Sequence, residues 1–501
     1  FHVGTGDVES VRPAPAGAVA VRLTGPPGLR VAIADADEHE VTRALLAADG
    51  AREVQLVPGE YSATTEGWPG GDSSLPFTAA ADAEVAFNMA PPATLHVRIE
   101  DENGTPLAGR LDLRGAVAIR QYTASEATLR VPAGDYTLLT TRGWHYSIDE
   151  RPFGVPGGQT TEVTVALTKV IDTTGFATGE FHQHAAPSID SDVATADRVL
   201  SNLGEGVDFM VPSDHDLIYD YASLVRRMAL SDRIGTPLTG EEISPVFTHI
   251  GAYGMTYDAY AGAGGAIRLS VREPGGFRAR DVPELVAAAR ERGARLIQMN
   301  HPRDDSGYYN HVGFAPEIPI ETLSPEKFTR DFDSVEINNR PGDTCRCLVD
   351  WLGLLNQGLR VTAVGNSDTH TLSASAGYPR NYVPTAADPP SAISADDIVN
   401  AIRAGRTTVG AGAVIDFPEG PQPGDTIATD GMLRLHPRVR TPPYVRAQRL
   451  VAFVNGQPVV EVALEAPAED IIDHDADLDL PVAADSVIVL LVIGDDSLAY
   501  V

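Results

Sequence analysis

Residues 179–192 read GEFHQHAAPSIDSD. His182 and His184 stand two apart at the end of an apolar lead-in, and Asp190 and Asp192 follow. Side chains two apart on a strand share a face, so an HxH pair there can offer two imidazoles to one cation. Further candidates lie downstream: Asp214 and His215 in PSDHD, Glu242 in TGEEIS, His249 in FTHIG, His301 in MNHPR, and Asp368 with His370 in GNSDTH. Six of the 13 histidines fall in these slots, and this accumulation, more than any single residue, points to a metal centre. Mixed imidazole and carboxylate ligands suit zinc, manganese or iron. A carboxylate bridging two ions would hold them about 3.5–4 Å apart, close enough to share a water that ionises near neutral pH and becomes a nucleophile.

The segments that carry these residues share one grammar. VDFMVPSDHD, ARLIQMNHP, DSVEINN and LRVTAVGNSDTH are each an apolar strand whose last residues turn polar, acidic or histidine-rich. DVPELVAAARERGARLIQMNHP has helical apolar spacing feeding a buried strand, so residues 171–415 read as an α/β domain. In α/β barrels the chemistry gathers at the carboxyl ends of strands, which would assemble these loops into one site. Ser394 is the expected N-cap of a closing amphipathic helix, before AIRAGRTTVG at 401–410.

The first third contains an internal repeat. LVPGEYSATTEGW (56–68) parallels RVPAGDYTLLTTRGW (130–144), and each copy ends in an alternating run, EVAFNMA (84–90) and EVTVALT (162–168). Two small β-sandwiches are expected, at 1–91 and 92–170, resembling the carboxypeptidase-regulatory-like and immunoglobulin-like accessory modules of secreted bacterial enzymes, and serving as packing or spacing modules. After residue 416, LRLHPRVR, RLVAFVNGQPVVEVAL and SVIVLLVIG read as strands of a C-terminal β-module, with Asn455-Gly456 marking a hairpin.

Composition bounds the rest. At 501 residues the chain exceeds a single core, and 47 Gly with 37 Pro imply many turns. A net charge of −31 disfavours nucleic acid and anionic lipid as partners. No apolar run is long enough to span a bilayer. Cys345 and Cys347 are too few for a disulfide framework or a cysteine-rich zinc site. Because the chain begins at Phe1, a removed secretion signal and a secreted or periplasmic bacterial setting are expected.

Taken in order, FHQH, EGVDFMVPSDHD, GEEISP, NHPR, AVGNSDTH and AGRTTVGAG resemble the PHP (polymerase and histidinol phosphatase) domain of metal-dependent hydrolases. The closest resemblance is to its carbaryl-hydrolase-like CehA/McbA-type branch. The resemblance covers about residues 171–415. It implies a distorted TIM-like (βα) barrel flanked by the β-sandwich modules, hence a multidomain α/β plus all-β chain, with two or three divalent ions (Zn, Mn or Fe). Carried over by position, His182, His184, Glu242 and Asp368 would hold one ion, and Glu242 would bridge to a second completed by His249 and His301. A third would use His215, His370 and an acid, for which Asp190 fits the spacing better than Asp192. Two departures stand out: Glu180-Phe181 precede the first histidine where the family usually has an acid and a leucine, and an aspartate takes a position that is histidine in many phosphatase members.

The resemblance implies a hydrolase that uses a metal-bridged hydroxide on small-molecule carboxyl or carbamate esters with aryl leaving groups. A phosphoesterase is the alternative within the enzyme class. A non-catalytic extracellular binding protein with a structural metal site is the alternative outside it. His215 is expected at the reacting centre, with Asp214 or Arg303 orienting substrate or leaving group. Tyr308, Tyr309 and His311 would either line an aromatic pocket or lie on an exposed loop. GNSDT lacks the pattern of a serine nucleophile elbow, HEXXH is absent, and AGAGGA at 261–266 lacks the lysine and helix of a phosphate loop and reads as a lid or plain loop.

Overall fold

The computed structural model describes residues 15–69, 71–339, 344–387, 390–465 and 470–494. The expected module bounds at residues 1 and 501, and the side chain of Cys345, therefore lie outside the described residues, while Cys347 is buried.

The repeat is visible as repeated topology. The first copy comprises β1 (Val19–Thr24), β2 (Arg30–Asp35), β3 (Glu40–Leu45), β4 (Ala51–Leu56), β5 (Gly59–Glu66), β6 (Ser74–Ala79) and β7 (Ala83–Ala86). The second comprises β8 (Ala93–Asp101), β9 (Gly109–Arg114), β10 (Ile119–Thr123), β11 (Glu126–Val131), β12 (Gly134–Thr141), β13 (Asp149–Val155) and β14 (Thr160–Leu167). The sheets run β4-β1-β7 and β3-β2-β5-β6 in one, β11-β8-β14 and β10-β9-β12-β13 in the other, the same order strand for strand. Alternation in each strand puts one face into a sandwich core, Val21, Val31 and Val54 in the first copy and Leu95, Leu113 and Leu138 in the second. The aligned tyrosines make the same bond, Tyr61 Oη donating to Val57 O at 2.9 Å and Tyr136 Oη to Pro132 O at 3.0 Å.

The central segment contains β15 (Phe176–Glu180), α1 (Thr195–Gly204), β16 (Phe209–Met210), α2 (Tyr221–Arg227), β17 (Gly240–Ile243) and β18 (Ile250–Tyr253). It continues with β19 (Ser270–Glu273), β20 (Gly276–Ala279), α3 (Val282–Glu291), β21 (Leu296–Met299), α4 (Tyr308–Val312), β22 (Ser334–Asn338), α5 (Thr344–Asn356), β23 (Thr362–Gly365), β24 (Arg380–Pro384), α6 (Ala395–Arg403) and β25 (Thr408–Gly410). The expected α/β TIM-like barrel is not formed. Its strands divide into a four-stranded sheet, β16-β15-β24-β25, and a five-stranded sheet, β17-β18-β21-β22-β23. Pairing is parallel in β15–β16, β21–β22 and β22–β23 but antiparallel in β15–β24, β24–β25, β17–β18 and β18–β21. The reason is partly connection length: only residues 244–249 separate β17 from β18, too short for the crossover helix a parallel pair requires. Overall the chain is mostly β, with 39% strand against 13% helix.

The ends of α6 follow its sequence. Ser394 Oγ accepts from Asp397 N at 3.1 Å, and the Asp397 carboxylate accepts from Ser394 N at 3.2 Å, a reciprocal cap. The C-terminal strands, β26 (Val414–Asp416), β27 (Met432–Leu435), β28 (Arg438–Thr441), β29 (Ala447–Val454), β30 (Gln457–Ala463), β31 (Ile472–Asp475), β32 (Leu478–Pro481) and β33 (Ile488–Gly494), enclose a core that includes Val439, Leu450 and Leu478. The β29–β30 hairpin turns on Asn455 and Gly456, both with positive φ as a tight two-residue turn requires. Among the described residues, no helix is long and apolar enough to cross a membrane.

Candidate metal centre

Two pairs of chain segments meet to build the site. After β15 the chain runs on through His182, Gln183 and His184 beside the stretch that follows β23: His184 N donates to Thr369 O at 3.0 Å and Asp368 N to His182 O at 2.8 Å. After β16, the His215 stretch lies beside β17 in the same way, with Glu242 N donating to Asp214 O at 3.2 Å and Asp216 N to Glu242 O at 2.9 Å. Backbone pairing thus fixes His182, His184, Asp368, His215 and Glu242 before any side chain is considered. Within β17 the alternation decides between neighbours: Glu242 faces the cluster, while the Glu241 carboxylate turns away to accept from Ile267 N at 2.8 Å. Burial pushes Glu241 up to about 8.

All nine residues expected to hold metal come together. Four overlapping groups form, His182/His184/Asp368, His182/Glu242/His301, His215/Glu242/His249 and His184/Asp190/His215/His370, in each of which the candidate donor atoms lie within 4.8 Å of one another. Glu242 is the hub: Oε1 lies 3.0 Å from His182 Nε2, 3.3 Å from His249 Nδ1 and 3.4 Å from His301 Nε2, and Oε2 lies 3.0 Å from His215 Nδ1. Asp368 Oδ1 stands 3.2 Å from both His182 Nε2 and His184 Nε2. Of the two acids offered by the first motif, Asp190 is the one in place, its Oδ2 at 3.0 Å from His215 Nε2 and 2.9 Å from His370 Nε2, whereas Asp192 is exposed and in none of the groups. His301 and Asp368 hold φ of +23° and +47°, left-handed conformations that non-glycine residues adopt rarely and chiefly where surrounding structure imposes them.

The cluster has a buried side and an open side. The His182, His184 and Glu242 side chains are 0% exposed, whereas Asp190 is 40%, His370 25% and His249 21% exposed. A reactant would approach across the second set.

These residues fit divalent cations on two counts. His184 Nε2 and Glu242 Oε2 are buried without a well-directed hydrogen bond, although Asp368 Oδ1 stands 3.2 Å from the first and His215 Nδ1 3.0 Å from the second, and the two atoms lie 3.5 Å apart. Buried atoms so poorly met are costly unless something else occupies their lone pairs. Second, burial alone would lower the His182 ring, yet Asp368, Glu242 and Glu336 together hold it well above its ordinary value. The carboxylates demand a cation, and in the metal-free protein a protonated imidazole supplies it. Burial lowers the His184 ring to about 4, so it stays neutral and able to coordinate.

Several supporting residues escaped the sequence reading. Glu336 is buried; its Oε1 takes His182 Nδ1 at 2.9 Å and Asn366 Nδ2 at 2.8 Å, and its Oε2 takes His301 N at 2.7 Å and Asn339 Nδ2 at 2.8 Å. A carboxylate in the middle of an apolar strand was the available signal. Asn300 Nδ2 donates to Glu242 Oε1 at 2.8 Å. Buried Arg198 donates to the carbonyls of His184 at 2.9 Å and Thr369 at 3.1 Å, tying the paired loops together. Glu180, the acid that precedes the first histidine, braces the backbone: it accepts from His182 N at 2.9 Å, Ser367 N at 3.2 Å and Gly377 N at 2.7 Å.

Other expected roles need correction. Asp214 is fully buried, accepting from Ala185 N at 2.9 Å and Tyr221 Oη at 3.3 Å, with burial pushing it up to about 7. Both its oxygens are engaged in tying loops together. Arg303 is likewise consumed: Nε and Nη2 pair with Asp350 at 2.5 and 2.6 Å, Nη1 reaches Asn310 Oδ1 at 3.2 Å and Nη2 reaches Phe314 O at 2.9 Å. Tyr308 and Tyr309 are core residues, neither pocket lining nor exposed loop, because Phe314, Phe328 and Phe332 enclose them. His311 packs on Phe247 and pairs with Asp281 at 2.7 Å. AGAGGA is a short turn whose Ala263 O accepts from Ile218 N at 3.1 Å.

No family model matches the chain, and no curated protein matches it. Among solved structures it is similar to the Bacillus anthracis TIE protein, at 16% identity over 30% of this chain and 34% of that one with a TM-score of 0.16. It is similar to the minor pilin of Streptococcus agalactiae at 14% identity, over 31% of this chain and 97% of that one, with a TM-score of 0.19. It is similar to the shaft pilin of Lactobacillus rhamnosus at 11% identity, over 30% and 98%, with a TM-score of 0.19. The chain spans about a third of the TIE protein's length. Scores this low establish no shared fold and carry no functional conclusion.

Proposed function

We propose that the cluster is a multinuclear metal centre and that the chain is a metal-dependent hydrolase of small-molecule carboxyl or carbamate esters, related in its ligand motifs to the PHP hydrolases. The observation that carries the proposal is the convergence of six histidines and three carboxylates around Glu242, with buried ring and carboxylate atoms left without well-directed hydrogen bonds. A structural metal needs four ligands and a closed shell. The greater number of ligand groups here, and their exposure on one side only, favour chemistry over mere bracing.

Bound there, paired divalent ions would supply an acidified water and a Lewis acid for the scissile carbonyl. The chain's own residues set the conditions for that. His182, His184, Glu242 and Asp368 form the closed floor; His249 and His301 would hold the second ion together with Glu242, and His215, His370 and Asp190 would hold a third at the open rim. Glu336 keeps the proton of His182 on Nδ1, so that Nε2 presents its lone pair to the centre. With Asp214 and Arg303 committed elsewhere, orientation of the substrate falls to the exposed side of the cluster.

The test is direct. Protein stripped with a chelator and reloaded with Zn²⁺, Mn²⁺ or Fe²⁺ is assayed on an aryl acetate, an aryl methylcarbamate and an aryl phosphate. Metal-dependent turnover of the first two supports the proposal. Turnover of the phosphate alone replaces the substrate class, and less than one equivalent of bound metal with no turnover on any substrate removes the enzyme reading.

A further inference from the structure

We infer that the second β-sandwich is a working part of this centre: Arg120, on β10, positions the outer metal subsite by anchoring the loop that follows His370. The inference rests on the metal-centre reading above. The inner ligands are braced by residues of the central segment itself, through Glu180, Glu336, Asn300 and Arg198. His370 shares the Arg198 tie, whose Nη2 reaches Thr371 O at 3.4 Å, and has further anchors of its own. Its ring is held by its own stretch, Nδ1 against Asp368 O at 2.8 Å, and its carbonyl by Ser191 Oγ at 2.8 Å. The chain then turns back on itself, Thr369 Oγ1 donating to Thr371 O at 2.9 Å and to Ala374 O at 3.0 Å.

The far side of that turn is fastened to the β-sandwich. Arg120 Nη1 donates to Ser373 O at 2.5 Å, and Arg110 Nη1, from β9, donates to Ser375 Oγ at 2.7 Å. Neither guanidinium is free to wander. Asp112 accepts from Arg120 Nε at 2.7 Å and its charge stands 3.0 Å from Arg110 Nε, and Glu205 accepts from Arg110 Nη1 at 2.6 Å and Tyr122 Oη at 3.0 Å. Two arginines and two carboxylates therefore form a charge-balanced bracket, largely buried, whose geometry is set by the β9–β10 ladder and transmitted to the loop. The His184/Asp190/His215/His370 group holds the two most exposed ligands, Asp190 and His370, so it depends most on how its loop is held. A module that reads in sequence as a spacer thus sets whether the rim ion binds. Arg120 is a positioning residue, acting through residues 370–375.

The test measures metal, not turnover. Full-length metal-free protein is dialysed against Zn²⁺ alone over a range of free concentrations, and bound zinc is read by elemental analysis beside a thermal melt. Wild type is expected to take three equivalents. In Arg120→Ala the weakest of the three should lose at least tenfold in affinity while the other two stay within twofold. Arg120→Lys should fall between, because an ammonium can reach Ser373 O but cannot also chelate Asp112. Arg151→Ala, which removes only a pairing with Asp149 in the same sandwich, should leave all three unchanged. An unaltered third equivalent in Arg120→Ala overturns the inference, as does parallel weakening of all three with a lowered melt, which would make Arg120 a general stabiliser. Wild type binding two ions sinks this inference alone; wild type binding none sinks the metal-centre reading with it.

Discussion

Replacing Glu336 by glutamine changes one oxygen to an NH₂ at nearly constant volume, and the structure makes the consequence calculable. The carboxylate accepts at both oxygens, from His182 Nδ1 and Asn366 Nδ2 on one and from His301 N and Asn339 Nδ2 on the other. Glutamine can satisfy only one side. If its NH₂ faces His301 N, two donors oppose each other at 2.7 Å and the left-handed backbone of a ligand residue must move. If its NH₂ faces His182, that ring can accept only by shifting its proton to Nε2, the atom 3.0 Å from Glu242 and 3.2 Å from Asp368, which then cannot coordinate. A buried donor left unmet costs about 1–3 kcal/mol, and loss of the partner behind a ligating histidine costs roughly 10–100-fold in metal affinity. Glu336→Gln should therefore weaken Zn²⁺ by one to two decades in competition with a chromophoric chelator, with unchanged far-UV circular dichroism. Affinity within twofold of wild type would refute the idea that Glu336 sets the His182 tautomer.

Three further outcomes follow from the same geometry. His184→Ala removes a ligand shared by two of the four groups and should abolish metal-dependent turnover while leaving the circular dichroism spectrum of the metal-free protein unchanged. Arg303→Ala strips Asp350, whose side chain is 5% exposed, of its partner. A drop of about 3–5 kcal/mol in unfolding free energy by urea is expected, with kcat/KM per folded molecule unchanged, since Arg303 does not reach substrate. His145, buried between the second sandwich and β24, is held well below its ordinary value by burial and by Arg380 and other nearby cations. The Trp144 indole can only donate, and it points at both Tyr382 Oη, 2.7 Å, and His145 Nε2, 3.0 Å, while the Tyr382 hydroxyl stands 2.6 Å from the same Nε2, a setting that favours the neutral, accepting ring. The unfolded chain binds a proton there below about pH 6.5 and the folded chain does not. That share of stability is present above this pH and is lost as pH falls, by about 1.4 kcal/mol per unit. His145→Gln should flatten urea-derived stability between pH 6.5 and 5; an identical slope in both proteins would contradict it.

His182, His184, His215, His301 and Asp368 were legible because each follows a short apolar run, where strand alternation and a following loop leave few directions for a side chain to point, whereas Glu242, His249 and Asp190 were read from their place in the ordered motifs. Glu336 was hidden because it has the look of an interruption in DSVEINN rather than of a loop residue. Asp214 and Arg303 were misread for the converse reason: a polar residue at a strand end can face the opening or tie two loops together, and only the positions of Tyr221 and Asp350 decide which. The repeat announced two modules of like build, since 56–68 and 130–144 occupy equivalent strands β4–β5 and β11–β12, but their strand order came only with the structure. Sheet closure in the central segment was not legible. Periodicity reports which face of a strand is buried, not whether its neighbour runs with it or against it. That depended on connections such as the six residues between Ile243 and Ile250.

The site therefore does not need a barrel to exist. Two backbone pairings, 182–184 with 368–369 and 214–216 with 242, bring five ligands within reach of one another. What then holds the arrangement is charge. Glu242, Asp368 and Glu336 are almost wholly withdrawn from water, and carboxylates so placed are tolerated only when paired or neutralised. Arg198, on α1, and Arg303 are spent on main-chain carbonyls and on Asp350. Compensation is left to the imidazoles, and every imidazole proton that neutralises a carboxylate there occupies a position a divalent cation would fill with greater charge and shorter bonds. The cost of burying these carboxylates and the metal affinity proposed for them have the same source.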